Sequence, residues 1–132
     1  GENLSGLQFG GWGLSYKPGT NDMREAPSIN IISQLVELGA NIIAHDPVAI
    51  EEARMAFSSH QINDKIIFLE KKYDVLKGSD ALILITEWKL YRNPDFLKIK
   101  EMMKSPTIFD GRNQYSPKQL KELGFTYKGI GR

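Results

Sequence analysis

The chain has 132 residues, 17 Lys and Arg against 16 Asp and Glu, a formal net charge of +1 and 41% hydrophobic residues. A chain of that size buries enough surface for one core without staples, and so balanced a charge removes the electrostatic case for a dedicated nucleic-acid binder. Cysteine is absent, which excludes disulfides, zinc–thiolate sites, iron–sulfur clusters and a cysteine nucleophile within this chain and fits a cytoplasmic origin. No apolar run approaches the roughly 20 residues of a bilayer span. The opening GENLSGLQFG has no basic segment followed by an apolar one, so no signal peptide is expected.

Taken in order, short β-rich runs alternate with helical stretches. Leu4–Trp12 reads as a strand diluted by Gly6, Gly10 and Gly11. Gly13–Asn21 is loop chemistry, with Pro18, Gly19, Thr20 and Asn21 close together. Ile29, Ile32, Leu35, Val36 and Leu38 recur at helical spacing, so a helix is expected over about Ala26–Leu38. Pro27 suits its first turn and Gly39 the position past its end. Asn41–His45 is a compact apolar strand, after which Asp46 reads as the N-cap of a helix with Pro47 at its first position. Lys65–Leu69 is a strand, Lys72–Lys77 a short helix ending at Gly78, and Ala81–Thr86 a strand apolar on both faces, as a covered parallel sheet requires. Phe96, Ile99, Met102 and Met103 mark a helix. Pro106–Phe109, Pro117–Leu123 and Phe125–Tyr127 follow as strand, helix and strand. The alternation predicts an α/β fold in three layers: an open parallel sheet of about five or six strands, helices on both faces, and no internal repeat or linker.

A parallel βαβ sheet with Gly10, Gly11 and Gly13 after its first strand suggests a dinucleotide site, but the pattern does not complete. The fingerprint G-x-G-x-x-G must open directly into a helix. Here Tyr16 stands where the third glycine belongs, and about a dozen loop residues delay the helix. Asp46 resembles a ribose-binding acid, yet the N-cap reading accounts for it. His45 and His60 have no second ligand at metal spacing; His45 reads as a partly buried structural residue and His60 as solvated.

Two segments are harder to explain as scaffold. Tyr16–Ser28 is long for a connection after a strand and carries Lys17 and Arg24 at the carboxyl edge of the sheet, where open α/β sheets bind ligands. Asp110-Gly111-Arg112-Asn113 opens on the same edge. Three cations there could hold a diphosphate. The alternative is that Arg24 and Arg112 pair with Glu25, Asp110 or Asp22, and pattern alone does not separate the two.

The run GLSYKPGTNDMREAPS, then a helix, then AHDP, resembles the C-terminal domain of the UDP-glucose 6-dehydrogenase family, whose pattern is aromatic-Lys-Pro-x-Thr-x-Asp-x-Arg-Glu-Ser/Ala-Pro. Lys77–Ala81 resembles its KGADA segment, Thr86-Glu87-Trp88 its TEW, Ile108–Asn113 its FDGRN and Gly129–Arg132 its ending. The likeness runs from about Leu4 to Arg132, in order and at matching spacing.

The resemblance implies one Rossmann-like, UDP-binding domain over 1–132, a piece of a longer chain whose NAD-binding domain, central helix and catalytic cysteine lie elsewhere. It implies a cytoplasmic parent that acts as a homodimer and oxidises UDP-glucose twice to UDP-glucuronate with NAD; this chain alone is expected to be inactive. Tyr16 and Lys17 match positions that contact the nucleotide sugar, Arg112 one that reaches it, often across the dimer, and Arg24 one that touches NAD. Asp22 and Glu25 are expected to pin Arg24 and Lys17, and Trp88 to pack. Neither nucleic acid nor a membrane is implied as a partner. The same pattern is shared by GDP-mannose and UDP-N-acetyl-hexosamine dehydrogenases, from which Thr86-Glu87-Trp88 argues away. A non-catalytic nucleotide-binding regulatory module and a structural domain with surface ion pairs remain as other readings. One departure stands out: the family's first strand is apolar, whereas here it reads Phe9-Gly10-Gly11-Trp12. Two glycines in a central strand cost packing and backbone entropy, so they are expected to loosen the edge presenting Tyr16 and Lys17.

Overall fold

The computed structural model describes residues 3–129. Six strands, β1 Gln8–Trp12, β2 Asn41–His45, β3 Ile66–Phe68, β4 Ala81–Leu84, β5 Thr107–Asp110 and β6 Thr126–Gly129, form one sheet in the order β3-β2-β1-β4-β5-β6. Every pairing is parallel. The helices are α1 Pro27–Glu37, α2 Ile50–Ser59, α3 Phe96–Met102 and α4 Pro117–Glu122. The expected α/β architecture is therefore present; the family ending at Ile130–Arg132 lies outside the described residues.

The chain steps outward from β1 to β3, then returns to the other side of β1 as β4. Right-handed crossovers in opposite directions put α1 and α2 on one face and α3 and α4 on the other. The core divides accordingly. Phe9, Ile42 and Ala44 pack with Ile32 of α1 and Phe57 of α2; Trp12, Leu82, Leu84 and Ile108 pack with Ile99 of α3 and Leu120 of α4. Within β4, Leu82 and Leu84 serve one cluster while Ile83 leans on the other, the two-residue alternation of a strand covered on both sides.

Caps set several boundaries. The Asp95 carboxylate accepts from the Lys98 N–H at the start of α3, and the Ser116 hydroxyl accepts from the Gln119 N–H at the start of α4, with Pro117 in its first turn. After α1, Gly39 adopts φ +101°, and its N–H bonds back to the Val36 carbonyl.

Three local expectations change. Asp46 does not cap a helix beginning at Pro47: α2 starts at Ile50, and Asp46 instead closes the preceding turn by accepting from the Val48 and Ala49 N–H groups. The helix expected over Lys72–Lys77 is a single 3-10 turn, Asp74–Leu76, since the chain has already left the helical region at Lys77, ψ 114°, before Gly78 turns it at φ +71°. The last strand runs Thr126–Gly129 rather than from Phe125, whose side chain is buried below the sheet with α3.

The glycine pair in β1 has a packing cause. A Cβ on Gly10 would lie 2.7 Å from the Val75 carbonyl oxygen and 3.3 Å from Leu76 Cδ2. The 74–79 turn thus rests directly on the central strand, which admits no side chain there. Gly11 is different, since its Cβ would meet only Ala44 Cβ at an ordinary 3.8 Å. Gly10 is where two backbones come close, so packing requires a glycine there.

Candidate functional site

The carboxyl ends of β1 and β4 lie side by side while their following segments leave in opposite directions, the topological switch point of the sheet. The long loop after β1 is rigid at its stem. Gly13 takes φ +94°, and a Cβ there would sit 2.5 Å from Thr86 Cβ. Asp46, 2% exposed, accepts from the Leu14 N–H at 2.8 Å and the Ser15 N–H at 3.1 Å through Oδ2. Its other oxygen holds Val48 and Ala49. Thr86 donates to the Ser15 carbonyl at 2.7 Å, and Ser28 of α1 to the Leu14 carbonyl at 2.7 Å. One carboxylate and two hydroxyls fix the loop to β2, β4 and α1.

The tip of this loop is open to solvent. Tyr16 is 51% exposed, Lys17 is exposed, and the Tyr16 N–H closes the loop on the Asp22 carbonyl at 2.7 Å. Tyr16, Asp22, Arg24 and Glu25 border a cleft of about 430 Å³. Lys17 and Arg112 do not line it. The three cations share one edge of the sheet, but they are not gathered into one pocket in this state.

Both arginines sit on the same turn, built twice. In Asp22-Met23-Arg24-Glu25 the Arg24 N–H donates to Asp22 Oδ1 at 2.8 Å, and Glu25 takes a left-handed φ of +58°. In Asp110-Gly111-Arg112-Asn113 the Arg112 N–H donates to Asp110 Oδ1 at 3.0 Å, and Asn113 takes φ +54°. A non-glycine residue at positive φ is uncommon and persists where the surrounding structure outweighs its cost. The two copies differ in what the aspartate can still do. Asp22 is partly exposed and grips the Arg24 guanidinium through Nε and Nη2. That contact holds the Asp22 carboxyl below its usual range and raises the guanidinium. Asp110 is 1% exposed, and its second oxygen is occupied by the Tyr115 N–H and the Tyr127 hydroxyl. Arg112 accordingly reaches across to Glu87, after β4, with Nε to Oε2 at 2.6 Å. The arginines are ion-paired as the scaffold reading allowed, Arg24 with Asp22 but Arg112 with a residue that reading did not name. Asp22 pins Arg24 as expected; no contact ties Glu25 to either cation.

Trp88 is half-buried against the α3/α4 cluster, as expected, and its indole Nε1 has no acceptor among the described residues. His45 is structural. It is 4% exposed, its Nδ1 lies 2.7 Å from the Tyr91 hydroxyl, and burial lowers its pKa, outweighing the raising effects of Asp46 and the Glu70 backbone. Tyr91 stacks on Trp12 at 4.9 Å; burial raises its pKa and that of Tyr115. His60 is exposed. Sequence reading missed Asp46 as the loop's anchor, because the Leu14 and Ser15 N–H groups that it serves lie some 30 residues earlier and leave no short motif.

The same anchor bears on a dinucleotide. The Leu14 and Ser15 amides, where a Gly-rich loop would cradle a pyrophosphate, are already taken by Asp46, and α1 begins only at Pro27. The residues present do not fit a complete NAD site. Arg24, its side chain 89% exposed, lies outside that loop stem and is ion-paired with Asp22.

A doubly wound parallel sheet with a long, anchored, cation-bearing loop at its switch point defines a nucleotide-binding α/β domain. Residues 10–117 match the model of the UDP-glucose/GDP-mannose dehydrogenase family, UDP binding domain, and the chain belongs to that family. A UDP-glucose 6-dehydrogenase of Pseudomonas aeruginosa is 45% identical over 121 residues, covering 92% of this chain and 27% of that protein. The UDP-glucose 6-dehydrogenase TuaD of Bacillus subtilis is 37% identical over 120 residues, 91% of this chain and 25% of that protein. Among solved structures, a UDP-glucose dehydrogenase from Pyrobaculum islandicum matches with a TM-score of 0.74 at 27% identity, over 97% of this chain and 26% of that one. The chain thus spans about a quarter of the length of the relatives it matches. Among the described residues no helix is long and apolar enough to cross a membrane.

Proposed function

We propose that residues 1–132 are the UDP-sugar-binding domain of an NAD-dependent UDP-glucose 6-dehydrogenase, cytoplasmic and homodimeric, that oxidises UDP-glucose to UDP-glucuronate. In this reading Tyr16 and Lys17 contact the nucleotide sugar, and Arg112 meets its diphosphate with planar, forked donors. Arg24 faces outward toward NAD held by another part of the parent protein. NAD, when bound there, accepts the hydrides lost from the sugar's primary alcohol. This chain's own part is to bind and orient: the stem fixed by Asp46 keeps the loop in place, and the exposed tip supplies the contacts. The observation that carries the reading is the pair of arginine turns at the carboxyl edge of β1 and β5 in a chain of this family.

The test is a calorimetric titration with UDP, UDP-glucose and GDP. A partial site offers few contacts against the entropy of association, so millimolar affinity for UDP and UDP-glucose is expected, about −4 kcal/mol, with GDP weaker. No heat with UDP at ten times that concentration, or GDP binding more tightly than UDP, sinks the proposal. A nanomolar constant would mean instead that the domain holds a complete site.

A further inference from the structure

Arg112 and Arg24 stand on the same turn, yet their guanidinium groups are held in different ways. Arg24 is closed on its own turn: Asp22 takes both Nε and Nη2. Arg112 is held only at Nε, by Glu87 at 2.6 Å, and its two Nη groups bond to none of the described residues. The held edge faces the chain after β4, so the two Nη groups remain for another acceptor.

Glu87 is placed for this by the fold. β4 and β5 are paired through Leu84 and Asp110, and the Gly111 N–H donates to the Leu84 carbonyl at 2.9 Å, so the two loops leave the sheet in contact. A Cβ on Gly111 would come within 3.0 Å of that carbonyl. The Trp88 N–H turns back on the Thr86 carbonyl at 3.0 Å, and the half-buried Trp88 ring packs against the α3/α4 cluster, which restrains the backbone on either side of Glu87. Asp110 cannot do the same work, since its carboxylate is buried and both oxygens are engaged.

We infer that Glu87 is a positioning residue for Arg112: by taking Nε it sets the guanidinium plane before a ligand arrives and leaves the Nη pair aimed at a nucleoside diphosphate. A long side chain ordered in advance forfeits less entropy on binding than one the ligand must order itself. The pair adds little to stability, because its members are 46% and 29% exposed and exposed ion pairs contribute little. The inference rests on the proposed role of Arg112, and the experiment separates the two.

The intact chain is titrated with UDP and with uridine, which lacks the phosphates, in wild type, Glu87→Ala, Glu87→Gln, Arg112→Ala and the Glu87→Ala/Arg112→Ala double variant. Melting temperatures are taken alongside. Glu87→Ala is expected to weaken UDP about three- to tenfold, to leave uridine unchanged, and to melt with wild type. Glu87→Gln, which keeps an oxygen for Nε, should recover most of the loss. The double variant should bind UDP no more weakly than Arg112→Ala, because Glu87 has nothing left to position. If Glu87→Ala binds UDP as tightly as wild type or more tightly, the carboxylate is a bystander or a competitor, and the inference fails. It fails also if the two single losses multiply in the double variant, or if Glu87→Ala melts far below wild type. If Arg112→Ala leaves UDP affinity unchanged, the role of Arg112 itself is overturned, and Glu87 falls with it.

Discussion

The sharpest test of the packing concerns the two adjacent glycines of β1, which composition treats alike and the structure does not. In Gly10→Ala the new methyl would lie 2.7 Å from the Val75 carbonyl oxygen, a backbone atom in a turn whose residues Val75 and Leu76 are fully buried. Relief requires the turn to lift from the strand, straining the bond from the Ser79 hydroxyl to that carbonyl at 2.9 Å. Overpacking of this kind costs about 1–3 kcal/mol, and a clash with backbone belongs at the upper end. At about 3–5 °C per kcal/mol for a chain of this size, the melting temperature should fall by about 6–15 °C. In Gly11→Ala the methyl finds only an ordinary contact with Ala44 at 3.8 Å. Removing a glycine from the unfolded ensemble then stabilises by about 0.4–1 kcal/mol, a rise of roughly 1–5 °C. Calorimetric melting of the two variants beside wild type decides the matter. Equal shifts, or a more stable Gly10→Ala, would refute the claim that the 74–79 turn rests on the strand at Gly10.

Asp46→Ala strands four N–H groups around a buried site; with hydrogen bonds to a charged group at about 1.5–3 kcal/mol each and not additive, urea unfolding should show a loss above about 4 kcal/mol, and Asn, which keeps one oxygen, should lose less. Stability should be flat at neutral pH and fall as pH drops below the ordinary histidine value of 6.5, since the unfolded His45 then takes up a proton that the buried, pKa-lowered native His45 does not. The limiting slope is about 1.4 kcal/mol per pH unit, and urea unfolding from pH 8 to 5 should show that component gone in His45→Gln. With no cysteine and the loop amides capped by Asp46, the chain alone should form no NADH from UDP-glucose and NAD; absorbance at the NADH band above that of a heat-killed control would contradict this.

Most of the scaffold was legible because its signals are local. Apolar runs such as Ala81–Leu84, the 3.6-residue spacing through α1, Pro27 and Pro117 in first turns, and Gly39 past a helix end each act within a few residues, and each stands where the sequence placed it. The loop after β1 and the arginine turn after β5 were visible as positions on an edge for the same reason, since strand alternation fixes which end of the sheet a loop leaves. Tertiary structure decided everything that depends on residues far apart in the chain. Asp46 became the anchor of a loop some 30 residues earlier rather than a helix cap, because one oxygen closes its own turn on Val48 and Ala49 while the other takes the Leu14 and Ser15 amides, which only the folded sheet brings to it. Gly10 was set by a turn more than 60 residues away, and the partner of Arg112 by the pairing of β4 with β5. Periodicity and turn chemistry record what a residue does to its neighbours in sequence; they carry no record of which distant carboxylate or carbonyl the packing will set against it.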